Sequence, residues 1–333
     1  MAKKKKSEST THASQSLTQL LRLPSGPVDL SKLDTAATHG YPGKGKEDAP
    51  ALTDALGPQI SDLQERLFAN GRAAAETAPR VLVLLQGMDT SGKGGVIRHA
   101  MGMVDPQGIQ LTSFKAPSDE ERKHHYLWRI KRALPDPGMI GIFDRSQYED
   151  VLVVRVEQLV PVAEWNKRYD EINTLEQKIS AEGTTIIKCF LHVSFEEQKA
   201  RLAARLSSPE KYWKYNPKDI DARAKWPAYQ QAYADALERC NTEHAPWFVI
   251  PADRKWYRNW AVAALLGEHL VGMDLGGPEA TFDVAAEKAR VAKACPDDSV
   301  LLVVPEGGAL HPLLGIGAAR QGRRQESSQR PLR

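Results

Sequence analysis

The stretch Gly87-Met-Asp-Thr-Ser-Gly92-Lys93 has the residue types and the spacing of a phosphate-binding loop, Gly-x4-Gly-Lys, set between an apolar run and a helix-like segment. Glycines let backbone N–H groups turn inward around phosphate oxygens. The start of the following helix adds its positive end, and Lys93 adds a point charge. The alternative is a glycine-rich turn with an incidental lysine; a strand before and a helix after argue against it. Gly94 and Gly95 follow the lysine, where such loops usually carry a Ser or Thr that ligates magnesium. Asp89 stands inside the loop instead, either as a replacement metal ligand or as a group that orients an acceptor phosphate through metal. Thr90 and Ser91 still offer hydroxyls.

A second acid closes the apolar run Ile140-Gly-Ile-Phe-Asp144, the form of a Walker B element whose carboxylate holds magnesium. Arg145, Tyr148 and Glu149 follow at once. Arg145 suits bidentate neutralisation of phosphate oxygens, or else a salt bridge to Glu149 or Asp150. Between Lys199 and Lys225 the chain carries a net charge of +5, with Arg201 and Arg205 one helical turn apart and Lys211 and Lys214 interleaved with Tyr212, Trp213 and Tyr215. The alternative is a solvated face. The reading favoured here is a mobile lid that clamps several phosphates. His124 and His125 adjoin Glu120, Glu121 and Lys123, and surface placement is expected for them rather than metal binding. Asp253 and Arg254 end another apolar run, with a structural or a rim role open to each.

Elements that would position these groups alternate along the chain. Strands are expected at Val81–Leu85, Ile109–Phe114, Met139–Phe143, Thr185–Leu191 and Trp247–Ile250. Helical spacing marks Ile60, Leu63 and Leu67, with Gly71 as a C-cap; Tyr126, Leu127, Ile130 and Leu134; Trp165, Tyr169, Ile172 and Ile179; Phe195 to Leu206; Ile220, Tyr229, Tyr233 and Leu237; and the region around Trp260. Such alternation implies an α/β fold with a parallel sheet, helices on both faces, and ligands at the carboxyl ends of the strands.

The net charge of +3 is unevenly distributed: +3 on residues 1–16 and +4 on 317–333 leave −4 on the body. That argues against a nucleic-acid surface spread over the fold. Residues 1–50 read as a flexible basic arm, Lys3–Lys6 as a solvated tail or an electrostatic tether, and Val28–Leu33 as a segment able to pack on the body. Residues 276–333 read as a loosely ordered extension, with a possible strand at Val300–Val304. No apolar run reaches membrane-span length, and no signal-peptide core follows the N-terminus. Cys189, Cys240 and Cys295 have no metal or redox spacing and suit a reducing, cytoplasmic setting.

Six segments together resemble the polyphosphate kinase 2 family: LQGMDTSGKGG (85–95), TSFKAPSDEE (112–121), LWRI (127–130), IGIFDRSQYEDVLVVRV (140–156), FLHVSFEEQKARLAARL (190–206) and APWFVIPADRKWYRNWAV (245–262). The resemblance runs from about Val28 to Met273. It implies a three-layer P-loop kinase fold similar to thymidylate kinase, with a five-stranded, mainly parallel sheet and a helical lid at about 199–225, in a domain spanning 51–275. It also implies reversible transfer of phosphoryl groups between inorganic polyphosphate and nucleoside mono- or diphosphates, with Mg2+ (or Mn2+ in its place). Asp89, Lys93, Asp144, Arg145 and Arg205 match its catalytic motif positions, and Asp89 and Asp144 the metal positions. Gly87, Gly92, Gly94, Gly95, Arg201, Lys211 and Lys214 are expected on phosphates, and Lys115, Tyr148 and Glu149 on the nucleotide. Expected partners are polyphosphate, nucleoside mono-, di- and triphosphates and further copies of the chain (a dimer or tetramer), without nucleic acid or membrane. The rivals are an ATP-dependent nucleotide or small-molecule kinase and a nucleotide-gated binding protein.

Overall fold

In the computed structural model, which describes residues 15–294, five strands form one parallel sheet: β1 (Arg80–Gln86), β2 (Ile109–Ser113), β3 (Ile140–Asp144), β4 (Thr184–His192) and β5 (Trp247–Pro251), in the order β2-β3-β1-β4-β5. The unbroken Val/Leu run of β1 is buried because this strand is central and covered on both faces. The register pairs Leu85 with Asp144 on one side and with Cys189 on the other. The end of β1 and the acid of β3 therefore emerge side by side at the carboxyl edge. Each expected strand is present, with no end shifted by more than one residue.

The helices are α1 (Leu17–Leu21), α2 (Ala49–Asp54), α3 (Gly57–Ala73), α4 (Lys93–His99), α5 (Leu127–Arg132), α6 (Val153–Val156), α7 (Val162–Ala181), α8 (Phe195–Leu206), α9 (Lys218–Ala224), α10 (Trp226–Arg239), α11 (Lys255–Gly272) and α12 (Val284–Ala294). Apolar α11 gathers α1 to α4 around it, while α7 lies on β4 and joins α6, which also touches α10. The result is a three-layer α/β body. Ser194 caps α8 by accepting from the Glu197 N–H at 3.1 Å, and the acids at 196 and 197 suit that helix's positive end. Among the described residues, no helix is long and apolar enough to cross a membrane.

Several expectations need correction. The arm expected over 1–50 is part of the body from Ser16 onward. Leu17, Leu21, Leu23 and Leu30 are core residues, and Tyr41 packs on Trp256 and Trp260. Its apolar residues are too few to stand out against Ser, Lys and Gly, yet α1 finds a place on α11 and β5, and the Leu30 carbonyl meets His192 of β4. Gly71 does not cap α3, which runs on to Ala73. A Cβ at Gly71 would fall 2.4 Å from the Pro137 carbonyl oxygen, so glycine is there for close approach. Ile220 sits on α9, separate from α10, because Pro227 at the second position of α10 starts a new helix. Cys189 and Cys240 are buried, and burial pushes each thiol up to about 12. Cys295, the Lys3–Lys6 run and Val300–Val304 lie outside the described residues. A second unit begins at Ala280, and its described part is the single helix α12.

The N-terminal segment is fastened by Glu268 of α11, which accepts from the N–H groups of Leu17 and Thr18 at 2.9 and 2.8 Å and from the Thr18 hydroxyl at 2.6 Å. Burial opposes its charge, but these bonds hold its pKa below the usual glutamate value. Its stabilising effect is therefore full above the ordinary Glu pKa and is lost as pH falls through the lowered one. Glu268→Ala is expected to cost about 1 kcal/mol at neutral pH and to speed hydrogen exchange at Leu17 and Thr18, measurable by denaturant melts and exchange mass spectrometry.

Candidate active site

Between β1 and α4 the backbone twists through Gly87 (φ 150°), Thr90 (φ 66°) and Gly92 (φ 109°). Turning N–H groups toward one point turns the carbonyls away from it, and buried carbonyls need donors. Every one from 87 to 91 has one. Lys93 Nζ donates to the carbonyls of Gly87 at 2.8 Å and Met88 at 3.5 Å. Gln198 Nε2 donates to that of Asp89 at 3.0 Å. Arg201 Nη1 serves Thr90 and Ser91 at 2.8 and 3.0 Å, and Arg258 Nη1 also reaches Ser91 at 3.1 Å. A Cβ on Gly92 would fall 1.8 Å from Arg258 Nη1, and one on Gly95 2.6 Å from Nη2, so these glycines admit the arginine. Gly94 has open space around it.

Lys93 is buried, and burial, with Arg145 nearby, lowers its pKa against the pull of Asp89, Asp144 and Glu149. Arg145, held at φ 66° right after β3, donates Nη2 to Asp89 at 2.8 Å and Nη1 to Glu149 at 3.4 Å. Burial works against its charge, but Glu149 and Asp89 hold it firmly protonated. Both proposed salt-bridge and site roles are thus compatible, since Arg145 spans the two acids beside the loop. Glu149 itself has a raised pKa, from burial first, with Arg145 opposing.

The lid segment comprises α8, a turn at Pro209–Lys214 and α9. Arg205 Nη1 reaches the Lys214 carbonyl at 2.9 Å and Asp219 Oδ2 at 3.2 Å. Asp219 is buried and titrates upward, to about 6, because of burial first and Asp89 second; Lys93 and Arg145 also act on it, which brings the lid within electrostatic reach of the loop. Lys211 and Lys214 stay on the lid surface, Lys214 with Nζ 4.9 Å from the Trp213 ring centre.

Two expected ligand-facing residues lie elsewhere, Arg201 and Tyr148. Arg201 is not an open phosphate contact. Its Nε pairs with Glu197 at 2.8 Å, and Nη2 donates to the carbonyls of Ala252 and Asp253 at 2.5 and 3.0 Å, so all its donors hold protein. Tyr148 is fully buried against Trp247 and donates to Glu176 at 2.8 Å, which excludes it from a nucleotide surface. Lys115 is exposed, and its carbonyl accepts from Arg129 at 2.8 Å. It lines a cleft of about 420 Å³ with Thr112, Phe114, Trp128 and Arg129, next to β3, since the Phe114 N–H donates to the Asp144 carbonyl at 3.0 Å. His124 and His125 sit at the surface near Glu120 and Glu171. A larger cleft of about 700 Å³, bounded by Leu30, Thr35 and Trp226, includes no loop residue. Gln198, Asp219 and Arg258 escaped the sequence reading, because each acts on backbone or on a side chain distant in sequence.

The residues suit a divalent cation of the magnesium kind. Asp144 Oδ1 is buried without a hydrogen-bond partner, as are the hydroxyls of Thr90 and Ser91. No cluster of three or more metal-binding side chains exists among the described residues. Magnesium held by one or two carboxylates plus substrate phosphates needs none. Asp89 and Asp144 are the side chains that would hold it.

The parallel sheet, the loop and the acid one strand away define a P-loop kinase. Residues 53–275 match the family model of polyphosphate kinase 2. The chain is 43% identical over 265 residues to an AMP/ADP-polyphosphate phosphotransferase of Meiothermus ruber, covering 80% of this chain and 96% of that one. It is 41% identical over 266 residues to an ADP-polyphosphate phosphotransferase of Rhodopseudomonas palustris, covering 76% and 89%. A crystal structure of a polyphosphate kinase 2 from Arthrobacter aurescens superposes with a TM-score of 0.80 at 48% identity, over 84% of this chain and 97% of the other. The chain belongs to the polyphosphate kinase 2 family.

Lys93→Ala is expected to lower phosphoryl transfer by roughly 10³-fold or more while the fold persists, because the lysine contributes charge at the loop rather than core packing. Turnover and a circular-dichroism melt measure the two separately.

Proposed function

We propose that this chain transfers terminal phosphoryl groups, reversibly and with Mg2+ (Mn2+ in its place), between inorganic polyphosphate and nucleoside mono- or diphosphates. The observation that carries the reading is the Asp89–Arg145–Glu149 chain of charges set beside Lys93 at the mouth of the loop. The acceptor phosphate is already an oxyanion, so no serine, cysteine or strong base is required. What the reaction needs is two polyanions brought into line with the charge between them neutralised.

In this reading the loop N–H groups and Lys93 hold the phosphates at the transfer point. As the phosphate oxygens settle, the ammonium of Lys93 passes to them from the carbonyls of Gly87 and Met88. Arg145 moves between the Asp89 and Glu149 carboxylates and the transferring group. Asp89 and Asp144 would hold the magnesium, which when bound would lower the repulsion between donor and acceptor oxygens. Arg205 with Asp219 carries the lid over the site, and Lys211 and Lys214 extend the track of positive charge. The cleft beside Lys115 and Phe114, next to Asp144, takes the nucleoside, an aromatic and cationic lining being suited to a base and its phosphates. The chain works in the cytoplasm as a homo-oligomer.

The test is an assay with polyphosphate, ADP and magnesium, ATP being absent at the start, alongside AMP, GMP and GDP. ATP formation proportional to enzyme is expected and stops on addition of chelator. No ATP formation, with activity from ATP to a small acceptor, would return the chain to the ATP-dependent kinases.

A further inference from the structure

The turn Gln147–Asp150, which follows β3 and Arg145, carries two acids in succession. Glu149 meets Arg145 at 3.4 Å, beside the phosphate loop. Asp150, the next residue, meets a different pair of arginines. Arg168 of α7 donates Nη1 to Asp150 Oδ1 at 3.0 Å and to the Asp150 carbonyl at 3.2 Å, which fixes how the carboxylate is turned. Its Oδ2 is buried without a hydrogen-bond partner, and the cation facing it is Arg129 of α5, with Nη2 3.8 Å away. Asp150, Arg129 and Arg168 are only 6%, 8% and 8% exposed. A buried carboxylate oxygen left unpaired is costly, so it holds the nearest cation strongly. Burial raises the Asp150 pKa, and Arg168 first and Arg129 second oppose that rise, followed by His125.

Arg129 also lines the cleft beside Lys115. Its Nη1 donates to the Lys115 carbonyl at 2.8 Å, and its Cζ lies 5.5 Å from the Phe114 ring centre. It thereby holds in place the segment that forms the cleft together with Trp128. A second acid competes for this arginine. Glu121 Oε2 lies 3.9 Å from Nη1 and lines the same cleft.

The two separations are nearly equal, so the surroundings decide which acid prevails. Asp150 is buried, where attraction between charges is stronger. Glu121 is partly exposed and already accepts from the Ser118 N–H at 2.7 Å. Arg129 therefore stays inside. Without the Asp150 charge the balance tips to Glu121, and the guanidinium is drawn off Phe114 and the Lys115 carbonyl toward the more exposed acid.

We propose that Asp150 is a positioning residue for the acceptor nucleotide: it keeps Arg129 on Phe114 and the Lys115 carbonyl and away from Glu121. This rests on the reading that puts the nucleoside in that cleft. The experiment compares wild type, Asp150→Asn and Asp150→Asn/Glu121→Gln in the full chain, with ADP and polyphosphate each varied in turn. For Asp150→Asn the KM for ADP rises roughly five- to twentyfold. The KM for polyphosphate stays within about twofold and kcat within about threefold, because the change touches acceptor binding alone. Adding Glu121→Gln removes the competing acid and restores most of the ADP affinity. A merely structural role of Asp150 does not give that rescue, so its absence overturns the proposal. An unchanged KM for ADP also overturns it, as do equal losses for ADP and polyphosphate. Should Asp150→Asn fail to fold in a thermal melt, Arg129→Lys takes its place. A lysine keeps the charge but cannot face Asp150 and hold the Lys115 carbonyl at once. The same selective rise in the KM for ADP is expected there, and a wild-type value overturns the proposal. A wild type inactive on polyphosphate and ADP removes the functional reading, and the positioning role with it.

Discussion

The site depends on how the phosphate loop disposes of its own carbonyl groups. A loop that aims its N–H groups at an anion must aim its carbonyls back into the protein, where each unpaired one costs on the order of 1–3 kcal/mol. Here long cationic and amide side chains from three separate elements meet that need: Lys93 from α4, Gln198 and Arg201 from α8, and Arg258 from α11. Arg201 alone spans the loop and the end of β5. A planar fork of five donors can do this, and a lysine cannot. The brace also places positive charge behind the loop without exposing it, so the field at the anion is preset.

A second buried network performs the same service for the acid side. Glu176 of α7 accepts from Gln147 at 2.9 Å, Tyr148 at 2.8 Å and Lys188 at 2.6 Å, and Lys188 also donates to the Cys240 carbonyl at 2.6 Å. Both charges are fully buried. Such a pair, with its remaining hydrogen bonds satisfied, fixes geometry more than it adds stability. What it fixes is the turn after β3, from which Arg145, in a left-handed conformation, reaches back to Asp89. The two carboxylates beside the loop are thus separated by a guanidinium held from below.

The sheet was legible because its signal is local. The Val/Leu run before Gly87, the run before Asp144 and the loop spacing each lie within a few residues. Arg201, Tyr148 and the N-terminal segment were not legible for the opposite reason. Arg201 has the type and position of a phosphate ligand, and only the fold reveals that its two Nη groups are taken by carbonyls 51 to 111 residues away. Tyr148 adjoins the site in sequence, yet its side chain enters the core between Trp247 and Glu176. The leucines of 17–30 are scattered among polar residues, and their partners on β4, β5 and α11 come some 160 to 250 residues later. Gln198 and Arg258 act on backbone, which leaves no motif to find.

The central claim is that carbonyl bracing by Arg201 shapes the phosphate site, and the kcat of Arg201→Lys with saturating polyphosphate and nucleotide tests it most directly. A lysine keeps the charge and cannot reach both the loop and β5. The account predicts a kcat at least ~100-fold below wild type in a protein that still folds. A folded Arg201→Lys with near-wild-type kcat would contradict it.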